Sequence, residues 1–265
     1  MNEYLKVAIE AAREAGAVLR AEFYRPKQIS YKGEVDIVTE SDRRSEALIV
    51  ARLREHFPSH AIIAEEGGGA AASGAKYCWH VDPLDGTTNF AHGYPCFCVS
   101  MGLARNNELV LGVIYSPVYD ELFTAQRGEG AHFNGKRIRC SRIDSLKNSL
   151  LCTGFPNHKR HAHPNIYYYW DFTLKSHGVR RDGSAALDLA YVAAGRFDGF
   201  WEFGLMPWDS AAGVVLVEEA GGTISDLEGR PYTLGGKSIL ASNGLIHAEM
   251  KQVAAEIAKR SMPPL

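Results

Sequence analysis

The stretch Trp79-His80-Val81-Asp82-Pro83-Leu84-Asp85-Gly86-Thr87-Thr88-Asn89-Phe90 decides how the rest of the chain is read. A β-prone run through Tyr77, Trp79 and Val81 gives way to two aspartates bracketing Pro83, then to Gly86 and hydroxyl residues, which predicts a buried strand feeding a helix start. Pro83 fixes φ and removes a donor, so the Asp82 and Asp85 carboxylates can converge without an intervening ladder bond. Leu84 can add only its backbone carbonyl. Oxygen donors of this kind suit a hard cation such as Mg²⁺, which takes near-octahedral oxygen at about 2.0–2.1 Å and is usually held by a few carboxylates plus substrate phosphate. Gly86-Thr87-Thr88 adds backbone N–H groups at a helix start, where a phosphate can sit. An isolated Asp-x-x-Asp-Gly is commonly no more than an Asx turn with solvated acids; the specified residues here run unbroken from Asp82 to Phe90.

Two further acids stand in comparable places. The short apolar strand Ala61-Ile62-Ile63-Ala64 ends at Glu65-Glu66, and Pro207-Trp208-Asp209 puts a proline and a carboxylate in the opening turn of a helix. With the segment Pro207-Trp208-Asp209-Ser210-Ala211-Ala212-Gly213 downstream and Glu65-Glu66 upstream, the central stretch resembles the metal-binding signature of the inositol monophosphatase family of Mg²⁺-dependent, lithium-sensitive phosphatases. The resemblance extends over nearly the whole chain. It implies a layered αβαβα sandwich of the sugar phosphatase type, commonly dimeric, that hydrolyses a small phosphate monoester with two or three Mg²⁺ ions. Inositol 1-phosphate is the implied substrate.

Carried over residue by residue, the resemblance implies that Glu65, Asp82 and the Leu84 carbonyl hold one ion and that Asp82, Asp85 and Asp209 hold a second. It implies catalytic roles for Asp42, Glu65 and Thr87, with Asp42 accepting the proton of the Thr87 hydroxyl. Read by itself, Asp42 is an acid that complements a helix dipole. Implied substrate contacts are Leu84, Asp85, Gly86, Thr87, Gly183, Ser184, Ala185, Glu202 and Asp209, with Glu202 on an inositol hydroxyl. Without the resemblance, Ser184 is an ordinary serine N-cap. Sibling substrates keep the metal site and change the alcohol: fructose 1,6-bisphosphate, histidinol phosphate or a 3′-phosphonucleotide. A reading of a different class is an interaction protein that regulates transcription or RNA processing on the same fold.

Along the chain, apolar residues at three- and four-residue steps predict a helix over 2–24 ended by Pro26. Residues 29–38 read as a hairpin, and Thr39-Glu40-Ser41-Asp42 opens a helix whose stripe runs through Leu48, Ile49, Leu53 and Phe57. The small residues 67–74 read as a flexible linker or lid beside the metal site; they lack the Lys-Ser/Thr ending of a nucleotide loop. Strands follow over 96–104, 108–116, 120–126 and 131–138, with Asn106-Asn107 and Asn134-Gly135 as turns. Strands at 149–153, 197–203, 223–225 and 239–242 and helices at 164–176, 187–195, 210–220 and 245–260 complete an α+β pattern, read as one domain over 1–265. The aromatic run Tyr167-Tyr168-Tyr169-Trp170 reads as core and subunit contact.

With 46% hydrophobic and 23% charged residues and a formal charge of −2, the chain has the composition of a soluble globular protein with no general attraction to nucleic acid or acidic membranes. Lys159-Arg160, with nearby histidines, and Arg180-Arg181 are local basic spots, read as surface or phosphate-side charge. Five cysteines without paired spacing predict free thiols rather than a disulfide framework or zinc site. No basic–apolar leader is read at Met1-Asn2-Glu3-Tyr4, and no run approaches the ~18–20 apolar residues of a membrane span. The expectation is a cytoplasmic enzyme, homodimeric by resemblance, with a small phosphate ester as partner and no nucleic-acid or membrane partner.

Overall fold

The computed structural model describes residues 2–25, 29–31, 37–67, 74–155 and 164–260. Helices α1 (Glu3–Phe23) and α2 (Glu40–His56) precede a seven-stranded sheet, ordered β3-β4-β5-β6-β7-β8-β9. Its strands are β3 (Ala61–Ala64), β4 (Tyr77–Asp85), β5 (Cys98–Arg105), β6 (Glu108–Ser116), β7 (Glu121–Gln126), β8 (Gly130–Phe133) and β9 (Lys136–Arg137). A separate pair, β1 (Ile29–Tyr31) and β2 (Ile37–Thr39), is antiparallel as the hairpin reading expects; the turn at 32–36 lies outside the described residues. The large sheet is antiparallel except where β3 runs parallel to β4, an arrangement that brings Glu65 to the same end as Asp82 and Asp85.

The second sheet is mixed, in the order β11-β10-β12-β14-β13. It is built from β10 (Leu150–Thr153), β11 (Gly178–Arg180), β12 (Gly199–Phe203), β13 (Thr223–Ser225) and β14 (Ser238–Ser242). Helices α4 (Asn165–Lys175), α5 (Ala185–Ala193), α6 (Pro207–Glu219) and α7 (His247–Ala258) alternate with these strands, and the short α3 (Thr87–His92) follows β4.

Three apolar clusters define the layers. In the first, Ala8, Ala12, Leu19, Ile49 and Leu53 of α1 and α2 pack on Trp79, Val81, Met101 and Val113 of the large sheet. Between the sheets, Leu189, Val192, Val215 and Leu216 of α5 and α6 lie among Ile114 and Phe123 on one side and Phe200 and Ala241 on the other. On the outer face of the small sheet, Phe172 of α4 and Met250 and Ala254 of α7 cover Leu151, Trp201 and Leu240. The order is helix, sheet, helix, sheet, helix, as the αβαβα expectation requires. Each sheet buries both faces, so its inner strands carry near-continuous apolar runs rather than simple alternation.

Local expectations shift in a few places. The strand before the signature does not stop at Val81 but continues through Pro83 to Asp85, with a register irregularity between Asp82 and Asp85. A proline is tolerated there because a bulge leaves its missing N–H without a ladder partner. Leu48, expected in the α2 stripe, is exposed, and β11 was not anticipated. Asp120 belongs to the turn before β7, with φ at +52°. All five cysteines are free. Among the described residues no helix is long and apolar enough to cross a membrane. The basic spot at Lys159-Arg160 and most of the small-residue loop lie outside the described residues.

Candidate active site

The end of β4 supplies the first acids. Asp82 is 2% exposed, and its Oδ1 accepts the Leu84 N–H at 3.0 Å, a bond that curls the chain through the bulge. Gly86 follows at φ +96°, where a Cβ would lie 2.8 Å from the Cys96 carbonyl oxygen, so only glycine turns the chain into α3 at this point. Helix α2 braces the bulge from below with three buried polar side chains. Ser45 donates to the Pro83 carbonyl at 2.8 Å, Glu46 accepts the Glu66 N–H at 2.7 Å, and Asp42 accepts the Thr87 hydroxyl at 3.0 Å.

Asp42 is fully buried, and its Oδ2 accepts both the N–H (2.7 Å) and the hydroxyl (2.6 Å) of Thr39. Burial pushes its carboxyl up to about 6, against the hydrogen bonds from Thr39 and Thr87 that pull it down. The Thr87 hydroxyl lies 3.0 Å from the Leu84 carbonyl as well as from Asp42. One proton cannot be given to both acceptors, so engaging that carbonyl elsewhere commits Thr87 to Asp42.

Asp209 enters from the opening turn of α6, where Pro207 begins the helix and Asp209 Oδ2 accepts the Met206 N–H at 2.8 Å. Glu202 comes from β12 and is 6% exposed. It is accommodated by Gly154, since any Cβ there would overlap both Glu202 carboxylate oxygens. These groups line one cleft of about 440 Å³ together with Glu65, Leu84, Asp85, Gly86, Thr87, Gly183, Ser184 and Ala185. Of the residues expected at the site, only Asp42 does not line it; it lies beneath, hydrogen-bonded to Thr87.

The electrostatics are severe. Desolvation holds the Asp82 carboxyl well above the usual range, and the nearby charges of Glu65, Asp85 and Asp209 raise it further. Asp209 is raised well above its ordinary value by burial and then by Asp85. Glu202 is raised by burial and then by Asp209 and Asp85, with Arg181 pulling the other way. Burial raises Asp85 too, opposed by hydrogen bonds from Ser184 and the Ala186 amide. Among the described residues, no Lys or Arg forms an ion pair with Asp82, Asp85 or Asp209. Buried and half-buried carboxylates without such an ion pair, all hard oxygen donors, fit a divalent cation such as Mg²⁺. No three His, Cys, Asp or Glu side chains among the described residues already share one coordination point; the acids line a common wall onto which a cation would draw them.

Some lining residues escaped the sequence reading, and Arg181, read as surface or phosphate-side charge, is at the cleft. Asn89 donates its side-chain amide to the carbonyls of Cys96 (2.7 Å), Asp182 (2.7 Å) and Gly183 (3.3 Å), tying α3 to the loop before α5. Arg181 lines the cleft beside Glu202, while Phe155, Phe203, Leu205 and Met206 give one wall an apolar surface. Asn89 lies inside the signature, but nothing in sequence names its partners some ninety residues on.

Strand-end carboxylates gathered in one cleft, beside a threonine hydrogen-bonded to a buried acid beneath it, define a metal-dependent phosphatase acting on small phosphate esters. The chain belongs to the inositol monophosphatase family, whose model matches residues 1–262. It is similar to an inositol-1-monophosphatase of Synechocystis, with 45% identity over 257 residues, covering 96% of this chain and 90% of that protein. It is also similar to the Nus factor SuhB of Pseudomonas aeruginosa, 47% identical over 250 residues and covering 92% of each chain. Among solved structures, the inositol monophosphatase of Anabaena superposes with a TM-score of 0.88 at 44% identity, covering 99% of this chain and 97% of the other. The extragenic suppressor protein suhB of Bartonella henselae gives 0.92 at 40% identity, covering 98% of this chain and all of the other.

Proposed function

We propose that this phosphatase hydrolyses inositol 1-phosphate to inositol and phosphate with Mg²⁺ as its cofactor. The observation that carries the reading is the convergence of Glu65, Asp82, Asp85 and Asp209 on one cleft, where among the described residues no Lys or Arg forms an ion pair with the three aspartates. Glu65, Asp82 and the Leu84 carbonyl would hold one ion, and Asp82, Asp85 and Asp209 another, with Asp82 shared. When bound, Mg²⁺ neutralises these acids, polarises the phosphate and makes water a better nucleophile.

The chain's own groups do the rest. Thr87, giving its proton to Asp42, turns its lone pairs outward to accept a proton from the attacking water. Asp42 is held in place by Thr39, so the acceptor does not wander from the hydroxyl. In the same cleft, Glu202 meets the alcohol's hydroxyls, together with the Gly183–Ala185 backbone. Sensitivity to Li⁺, which would compete for the Asp82, Asp85 and Asp209 oxygens, belongs to the same reading. So does a homodimer, for which the exposed Ile166, Trp170 and Leu174, spaced four apart on α4, offer an apolar stripe.

A kinetic panel of inositol 1-phosphate, fructose 1,6-bisphosphate, histidinol phosphate and a 3′-phosphonucleotide, each with Mg²⁺, tests it. The highest kcat/KM is expected for inositol 1-phosphate. A clear preference for another member changes the alcohol and keeps the chemistry; no turnover of any would favour the interaction-protein reading, for which a relative named as a Nus factor provides a motive.

A further inference from the structure

Ser184 is the residue whose geometry departs most from a substrate contact. It caps α5, and its hydroxyl is already committed: it donates to Asp85 Oδ2 at 2.6 Å and accepts the Leu187 N–H at 3.4 Å. A hydroxyl has one proton, so Ser184 has none left to offer a substrate oxygen. The same Asp85 oxygen also accepts the Ala186 N–H at 2.7 Å, and the Cys98 thiol lies 3.8 Å from it and 3.7 Å from Ser184 Oγ. The Ser184, Ala186 and Cys98 contacts thus all fall on Oδ2, and the Ala185 amide is a further backbone neighbour of the carboxylate.

The loop that leads into α5 is in turn fixed to α3, the helix that follows Asp85. Asn89, four residues further along, holds the carbonyls of Asp182 and Gly183, the two residues immediately before Ser184. Ser184 and Asp85 are therefore locked across the cleft from both sides, although they are far apart in sequence.

We infer that Ser184 is a positioning residue for Asp85: its hydroxyl and the Ala186 amide anchor Oδ2 and so present the carboxylate's other oxygen, Oδ1, to a bound divalent cation. The inference rests on the reading of Asp85 as a cation ligand. It assigns Ser184 to the metal subsite and leaves the alcohol to Glu202 and the neighbouring backbone. A carboxylate with one oxygen anchored loses little freedom on coordination, and hydrogen bonds to ligating carboxylates typically govern metal affinity by about 10- to 100-fold.

The test uses Ser184→Gly, Ser184→Ala and Ser184→Thr in the full chain, with Mn²⁺ as the probe cation followed by electron paramagnetic resonance and hydrolysis measured against Mg²⁺ concentration. Glycine is a serviceable N-cap, so Ser184→Gly removes the hydroxyl while sparing α5, and circular dichroism checks the fold. The expected result is an ~10- to 100-fold loss of Mn²⁺ affinity in the Gly and Ala variants, recovery in Ser184→Thr, and a near-normal KM for inositol 1-phosphate once Mg²⁺ saturates. Unchanged Mn²⁺ affinity with a raised KM would overturn the inference and make Ser184 a substrate ligand. Wild-type protein that binds Mn²⁺ but ignores inositol 1-phosphate would overturn the substrate reading alone, because the Mn²⁺ series still decides the role of Ser184.

Discussion

Asp198, which is buried, and Asp209, which is half-buried, are aspartates on the small-sheet half of the molecule, and the fold treats them in opposite ways. Asp198 accepts the Ser141 hydroxyl at 2.5 Å and the Leu150 N–H at 2.7 Å, joining the start of β10 to the segment before β12. Among the described residues Asp209 accepts the Met206 N–H of its own helix turn, and it shares its surroundings with Asp85 and Glu65. One acid is a structural cross-link with both of its oxygens engaged. The other is held in a place that disfavours its charge, which on the proposed reading serves a ligand rather than the fold.

Breaking that contrast should have the largest effect. Asp82→Asn and Asp209→Asn should each abolish turnover, since losing an anionic cation ligand removes several kcal/mol of transition-state stabilisation, at ~1.4 kcal/mol per tenfold in rate. Without metal, neither should destabilise the protein at pH 8. Because their folded values lie above the ordinary carboxylate range, the folded state binds more protons than the unfolded one in that window. Stability of the metal-free wild type therefore falls as pH rises through it, and the gain from Asn is fullest above the folded value and absent below about 4. Asp198→Asn should do the reverse, costing about 1.5–3 kcal/mol with kcat intact. Urea unfolding at pH 4 and pH 8, paired with kinetics, reads both; equal destabilisation by Asp198→Asn and Asp209→Asn would erase the distinction.

Next in size comes the relay beneath the cleft. Thr87→Ala and Asp42→Asn should each lower kcat by about 10²–10⁴, with Mg²⁺ dependence little changed and Thr87→Ser retaining substantial activity. The double variant should be no worse than the worse single one, because the hydroxyl and the carboxyl act as a unit. Multiplying losses would leave Asp42 as a helix-start acid and nothing more.

The smallest effect belongs to the alcohol end. Glu202→Gln should raise KM for inositol 1-phosphate about tenfold, the equivalent of a charged hydrogen bond of about 1.5 kcal/mol, and leave KM for p-nitrophenyl phosphate alone. Equal changes on the two substrates would make Glu202 a structural acid like Asp198.

What could be read in the sequence was whatever the chain writes locally. The acids at the ends of β3 and β4 and in the first turn of α6 each follow an apolar run or precede a helix, so burial and charge are adjacent in sequence, and the family resemblance assembles them. The unforeseen parts depend on distant contacts. Gly154 matters only because Glu202 folds against it, Asn89 because residues 182–183 arrive beside it, and Ser184 because Asp85 lies opposite. The parallel β3–β4 pairing and the continuation of β4 past Pro83 are likewise tertiary choices, invisible to a rule about local propensity. One signal was available and unused: Asp42, Ser45 and Glu46 fall on the buried stripe of α2 with Ile49 and Leu53, and polar residues at core positions need partners.

The most direct measurement is the melting temperature of wild-type, Asp82→Asn and Asp209→Asn proteins at pH 8, with and without millimolar Mg²⁺. A cation that binds only the folded state stabilises it by mass action. Mg²⁺ should therefore raise the wild-type melting temperature by several degrees and leave both variants where they were. An equal shift in all three, or none in the wild type, would mean that the buried acids of the cleft do not hold the metal.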